Sequence, residues 1–392
     1  MTIPEIKNVC FVGAGTMGSY NALVASLAGY RATIFDLSQS ALDQVRDAQL
    51  QFGTFLIGAG FCSEGDLSDA LDRIVLETNL TVATADADLV SESIFERLDV
   101  KRELHQQLDE LCPSHTIITT NTSALRVSDI EDVVGRGALF AALHSHLGAP
   151  LVDIVGGPRT SPETLDTLNR YTKSIGGVPL LLKKEHPGYV LNAMLGPLLS
   201  TAMLIVSHEK ASTEDVDRAW MHFRNAPMGP FGMIDLFGIQ LIHDSWNYRD
   251  VDSAYADNRQ RILDLLQPYV DQDHLGMKSG SGFYQYPQPA YQDETFLDAA
   301  KSQQALHSIL VTVVVANGLH LAKLGVAEPA QIDMAWKVGT YLDAGPFEIL
   351  KAQGIEGFRA ELEHLRSSAL IDTTRYRSVD EYLSKARDNQ PT

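Results

Sequence analysis

The chain holds 392 residues, 45% of them hydrophobic and 21% charged, and at roughly 150 residues per domain it has room for two or three cores. Its 31 basic against 50 acidic residues leave a formal net charge of −19, which disfavours binding along nucleic acid, where clustered cations must displace counterions. Three separated cysteines, Cys10, Cys62 and Cys112, form no C-x-x-C pair, so neither a disulfide framework nor a metal site is signalled and a reducing, cytoplasmic setting is expected.

Residues 1–7 lack the basic, apolar and small-residue succession of a secretory leader, so none is expected. From residue 8 to about 184, short apolar runs alternate with helical stretches, the pattern of a Rossmann-type α/β doubly wound sheet. Strands are predicted over 8–12, 32–36, 89–93, 116–120, 139–144, 151–155 and 178–182. The first runs into Gly13-Ala14-Gly15-Thr16-Met17-Gly18, and a helix follows. Gly13 suits a tight turn, Gly15 a close approach of backbone to a pyrophosphate, Gly18 close packing of helix on strand, and the helix start supplies partial positive charge. The second strand ends in Asp36, whose carboxylate can accept hydrogen bonds from an adenosine ribose and would repel a 2′-phosphate, so NAD is favoured over NADP.

After His186-Pro187-Gly188 the strand-like runs stop and helical periodicity takes over, which sets domains at 1–185, 186–290 and 291–392. The last two rest on a repeat: a shift of 116 residues superposes 211–239 on 327–355 with nine identities in 29 positions. Chance would give roughly two at a background of about 6%. The identities include Asp217/Asp333, Trp220/Trp336 and Gly229-Pro230-Phe231/Gly345-Pro346-Phe347, so two copies of one all-α helical domain are expected. The uncharged runs 191–207 and 307–322 are shorter than the ~20 residues a membrane span needs and are read as buried helices. Residues 375–392 read as a charged helical end with a frayed terminus.

With these motifs in place, the chain resembles the L-3-hydroxyacyl-CoA dehydrogenase family over about residues 6–286, and the repeat resembles a further copy of that family's helical domain. The resemblance is carried by the glycine turn with Asp36, Glu96 to Lys101, Thr120-Asn121-Thr122-Ser123, His144, Pro187-Gly188-Tyr189-Val190-Leu191-Asn192, Pro227 to Phe231, and Gly280 to Tyr284. It implies an NAD enzyme that reversibly oxidises an L-3-hydroxyacyl-CoA to the 3-oxoacyl thioester, a step in fatty acid metabolism. It adds Thr16, Met17, Glu96, Lys101 and Asn121 to the implied cofactor contacts, with Glu96 and Lys101 at the nicotinamide half. His144 would be the base, suited by an ordinary imidazole affinity near neutrality. Ser123 would hold the substrate oxygen, and Asn192 the substrate or His144.

The chain departs from the family in two places. After the histidine the family reads aromatic-aromatic-Asn-Pro, whereas here His144-Ser145-His146-Leu147-Gly148-Ala149-Pro150 leads into a stretch about three residues shorter. The glutamate that orients the imidazole would then be Asp153, and His146 becomes a competing base. Family members also place lysines after the second strand to meet the charges of coenzyme A; this chain has none between Lys7 and Lys101, and only Arg46 and Arg73 within 37–79. A free 3-hydroxy acid, as for relatives acting on carnitine or gulonate, is therefore the second reading. A non-catalytic NAD-binding protein is the third, since a lens crystallin resembles the family, but Ser123, His144 and Asn192 occurring together stand against it. The expected partners are a small-molecule substrate, with no nucleic acid and no membrane. The helical copies would pair within a monomer, with a homodimer as the alternative.

Overall fold

The structure is a computed structural model and describes residues 5–247, 256–299, 303–368, 370–371 and 376–388. It divides into two compact units, Met1–Tyr189 and Val190–Thr392.

In the first unit the chain runs β1 (Asn8–Val12), α1 (Thr16–Leu27), β2 (Arg31–Phe35), α2 (Gln39–Gly58), α3 (Glu64–Asp72), β3 (Ile74–Glu77), α4 (Leu80–Thr84), β4 (Leu89–Glu92), α5 (Leu98–Leu111), β5 (Ile117–Thr120), β6 (Phe140–Ser145), β7 (Leu151–Gly156), α6 (Pro162–Ser174) and β8 (Val178–Leu181). The strands form one sheet in the order β3-β2-β1-β4-β5-β6-β7-β8. Every pairing is parallel except β6 with β7. Both faces are covered, which is why the central strands read as unbroken apolar runs such as Val9–Val12 and not as an alternation. The seven predicted strands match within one residue at each end; β3 was not foreseen. It is a four-residue edge strand with Val75 and Leu76 exposed, so it carries no apolar period to read.

The first compact unit runs on to Tyr189, four residues past the expected 185, and takes in the Pro-Gly loop, which is bonded within it. Gly188 N donates to Ser123 O (3.0 Å) and Tyr189 Oη to Thr122 O (2.9 Å).

The second unit contains α7 (Leu191–Ser207), α8 (Thr213–Arg224), α9 (Pro230–Phe237), α10 (Ile239–Asn247), α11 (Ala256–Asp271), α12 (Gln304–Leu324), α13 (Pro329–Thr340), α14 (Pro346–Gln353), α15 (Ile355–Arg366) and α16 (Arg377–Asp388). The four residues after α16, where a frayed end was expected, lie outside the described residues. By length and composition α12 could cross a bilayer, but 61% of its apolar window is buried within the unit, where it packs on α7, α8 and α16. Three helices recur at one offset: α8, α9 and α10 begin at 213, 230 and 239, and α13, α14 and α15 begin 116 residues later. The link after the first helix of each trio turns through a left-handed residue, Asn225 and Tyr341. Asp217 accepts from Phe231 N and Asp333 from Phe347 N, both at 2.8 Å, so in each trio a buried carboxylate serves the start of the next helix. Gly229 and Gly345 lie so close to these aspartates that a Cβ would come within 2.4 Å and 2.5 Å of the aspartate Cα. The indoles Trp220 and Trp336 meet edge to face at 6.4 Å.

Asp217 also receives Gly232 N and Tyr284 Oη, and burial pushes its carboxyl up to about 7 against these three donors. Asp217→Ala would orphan two buried amides and a phenol, and is expected to cost about 2–4 kcal/mol, read as a lowered denaturation midpoint. Asp217→Asn should cost clearly less.

Candidate active site

Chain reversal beside β1 opens a crevice at the carboxyl ends of the parallel strands, where open α/β sheets bind ligands. Gly13 leaves β1 with φ +108°, and a Cβ there would lie 2.6 Å from Ser93 O. A Cβ on Gly18 would lie 1.9 Å from Gly13 O, so only hydrogen lets α1 sit this close to the turn. At Gly15, by contrast, nothing lies within 4 Å of a Cβ position. That open space is compatible with the close approach of a pyrophosphate to the turn.

The helix ends give a second sign. α1 starts at Gly15 with no side-chain cap, as α5, α7 and α12 also start uncapped, but its uncapped end stands at the glycine turn. Its first-turn amides at Thr16 and Met17 are left for an anion. Asp36 is held at both oxygens, Oδ2 by Ala14 N and Oδ1 by Ser38 N, each at 2.9 Å, and its half-exposed carboxylate keeps lone pairs for a ribose. These residues fit a dinucleotide with a free 2′-hydroxyl.

Deeper in the unit, Glu92 ends β4 fully buried. It accepts from Lys101 Nζ (2.5 Å), Ile94 N (2.8 Å), Thr120 Oγ1 (2.7 Å) and His105 Nε2 (3.1 Å). Burial alone would raise its carboxyl, but the bonds and charges of His105 and Lys101 win and hold it well below the usual carboxylate range. Lys101 is 1% exposed, held by Glu92 and 3.4 Å from Glu96 Oε2, which ties it to the residue the resemblance pairs it with. Without Lys101 the buried carboxylate would lose its countercharge, a loss of about 3–5 kcal/mol. Glu96 lies outside the helix and grips the turn after β5, accepting from Thr122 Oγ1, Ser123 N (3.0 Å) and Ala124 N (3.0 Å). Ser123 is thus fixed by its backbone, with its hydroxyl exposed and unbonded. Asn121 turns its Oδ1 to Ser145 N (2.8 Å), tying the end of β5 to the end of β6.

His144 comes from the antiparallel pair. In the β6–β7 register it stands directly opposite Asp153, and its Nδ1 lies 2.9 Å from Asp153 Oδ2. Both are buried, Asp153 at 0% exposure. Burial works against ionising Asp153, but the hydrogen bonds of two imidazoles, His144 and His146, hold its carboxyl below the ordinary value. An ionised carboxylate only accepts, so His144 carries its proton on Nδ1 and presents an unbonded lone pair at Nε2. Burial pushes the imidazole below its usual value, against the upward pull of Asp153, so it is neutral and ready to accept a proton at pH 7. Tyr189 lies over the ring (5.0 Å between centroids) and bonds Thr122 O, linking His144 to the Ser123 turn. Asn192 is the second residue of α7, half-buried in the second unit; the N-cap there is Val190, so a capping role is excluded.

Residues 8–185 match the family described as 3-hydroxyacyl-CoA dehydrogenase, NAD binding domain, and residues 188–286 its C-terminal domain. A probable 3-hydroxyacyl-CoA dehydrogenase of Caenorhabditis elegans is 34% identical over 299 residues, spanning 72% of this chain and 94% of that protein. The chain belongs to the 3-hydroxyacyl-CoA dehydrogenase family. Like that family it is an NAD-dependent oxidoreductase. A solved diketoreductase, described as acting on dicarbonyl compounds, is 33% identical with a TM-score of 0.66 and covers 72% of this chain and 100% of its own. The structure of a 3-hydroxybutyryl-CoA dehydrogenase of Escherichia coli shares the fold over 98% of this chain and 99% of its own, with a TM-score of 0.78 at 21% identity.

Sequence reading missed Glu92, His105 and Tyr189 as parts of this site. Glu92 had a signal in retrospect, an acid ending an otherwise apolar strand; His105 had none.

The glycines separate folding from binding. Gly15→Val, with φ −70° and open space, should leave the melting temperature unchanged while weakening NADH binding more than tenfold in a fluorescence titration. Gly18→Ala should lower the melting temperature itself.

Proposed function

We propose that this family member reversibly oxidises the 3-hydroxyl of an L-3-hydroxyacyl-CoA to the 3-oxoacyl-CoA. The observation that carries the reading is the His144–Asp153 pair, with Nδ1 held and Nε2 open at the strand edge that also bears the glycine turn. His144 Nε2 takes the hydroxyl proton, Asp153 fixes the tautomer and steadies the imidazolium that results, and Ser123 Oγ holds the substrate oxygen. Asn192 is proposed to hold the substrate or the imidazole. Bound NAD supplies the hydride acceptor. His144→Gln is expected to lower turnover of acetoacetyl-CoA with NADH by at least about a hundredfold with NADH affinity unchanged. Retained turnover would remove His144 as base.

A second reading, a free 3-hydroxy acid, is favoured by the charges between 37 and 79. The two cations there are spent on backbone carbonyls, Arg46 on Leu71 O (3.0 Å) and Arg73 on Ser26 O (2.9 Å), against seven acidic residues. The 33%-identical diketoreductase is consistent with it. NADH oxidation with acetoacetate but not acetoacetyl-CoA would establish this second reading over the first.

We further propose that the second unit is two copies of one helical domain whose apolar faces, α7 and α12, cover each other within a monomer. The recurring helices and the paired Asp217 and Asp333 bonds support this. A monomer is expected by light scattering. A stable dimer, together with a soluble active enzyme after removal of everything past Tyr291, would overturn it.

A further inference from the structure

His146 is where this chain writes something other than the usual aromatic after its histidine, and the structure gives it work. Two residues past His144, it returns to the same face of the sheet, as strand alternation requires, and the short turn closed by Ala149 N on His146 O brings β7 back at once. Its Nε2 lies 2.8 Å from Asp153 Oδ2, the same oxygen that His144 Nδ1 meets at 2.9 Å, and the rings stand edge to face at 4.5 Å. Asp153 Oδ1 is buried without a partner. One oxygen therefore carries both imidazoles.

We propose that His146 is a positioning residue for the base: by donating from Nε2 to the shared Asp153 oxygen it keeps the buried carboxylate ionised and limits how strongly that carboxylate pulls a proton onto His144. The proposal rests on His144 being the base.

A fully buried carboxylate with one donor is poorly compensated, and a second donor relieves that cost. The same donor divides the oxygen's negative charge, so Asp153 stabilises a His144 imidazolium less than it would alone. The closeness of the second imidazole also works against a charge on His144. The other groups around His144 are Tyr189, whose hydroxyl burial pushes far above its ordinary value, and Glu96, whose charge acts from a distance in the opposite sense to His146. Neither touches Asp153 Oδ2. No covalent or redox step is added; the proton taken at His144 Nε2 leaves to solvent from the same atom. The consequence falls on the pH profiles: oxidation needs the neutral ring and reduction the charged one, so the donor at 146 shifts the pH limb of each direction's rate while the overall equilibrium stays as it is.

The test compares His146→Phe and His146→Gln in the full chain, reading kcat/KM for oxidation with NAD against pH, with the better substrate of the 3-hydroxybutyryl-CoA and 3-hydroxybutyrate pair. In His146→Phe the acid limb for oxidation should move up by about 0.5–1 pH unit, a roughly three- to tenfold rise in proton affinity, with NADH affinity unchanged. His146→Gln, which keeps an N–H donor, should return the limb towards wild type. An unmoved limb in His146→Phe overturns the proposal while leaving the His144 assignment intact. Abolished turnover in His146→Phe with activity kept in His144→Gln overturns both, making His146 the base. If His146→Phe does not fold, nitrogen NMR of the wild-type histidines decides: protons on His144 Nδ1 and His146 Nε2 with mutually dependent titrations support the proposal, and independent titrations overturn it.

Discussion

One reversed strand governs this site. In a sheet whose other neighbours all run parallel, β7 lies antiparallel to β6, and that single reversal sets Asp153 opposite His144 in register. Parallel neighbours need a long crossover, whereas an antiparallel pair can be joined by a short turn. The turn here spans only residues 146–150 and fits because Gly148 adopts φ +76°. His144 and Asp153 are thus fixed by backbone pairing, with no dependence on a flexible loop. A shorter acid than the family's glutamate can do this because the sheet itself sets the distance.

The remaining site residues depend on a second, deeper constraint. Glu92, sealed under the crevice, gathers donors from α5, from β5 and from its own following turn. Buried ion pairs contribute little net stability but resist partial disassembly, since removing one partner strands the other. Lys101 passes that rigidity to Glu96, and Glu96 to the backbone of Ser123. A substrate hydroxyl would meet a serine held from beneath at three removes.

Much of this was legible in the sequence. Gly13 and Gly18 declare themselves because each has a steric reason to lack a side chain, and periodicity located seven strands because buried parallel strands are continuous apolar words. Asp36 and Asp153 could be placed by spacing. The missed residues share one cause: Glu92 and His105 are polar groups whose positions depend on partners far along the chain, and a polar residue looks solvent-facing until its partner is known. Edge strand β3 escaped because one exposed flank erased its pattern. His146 was visible as a rival base, but only the shared oxygen shows it bound to the same acid as His144.

Asp36 carries two duties that cannot be separated. The acid expected to turn away a ribose phosphate is also the staple of the glycine turn, through Ala14 N and Ser38 N. Redesign towards the phosphorylated coenzyme therefore has to supply new acceptors for those amides as well as a new cation. Coenzyme choice in this protein is written into the shape of its loop as much as into its charge.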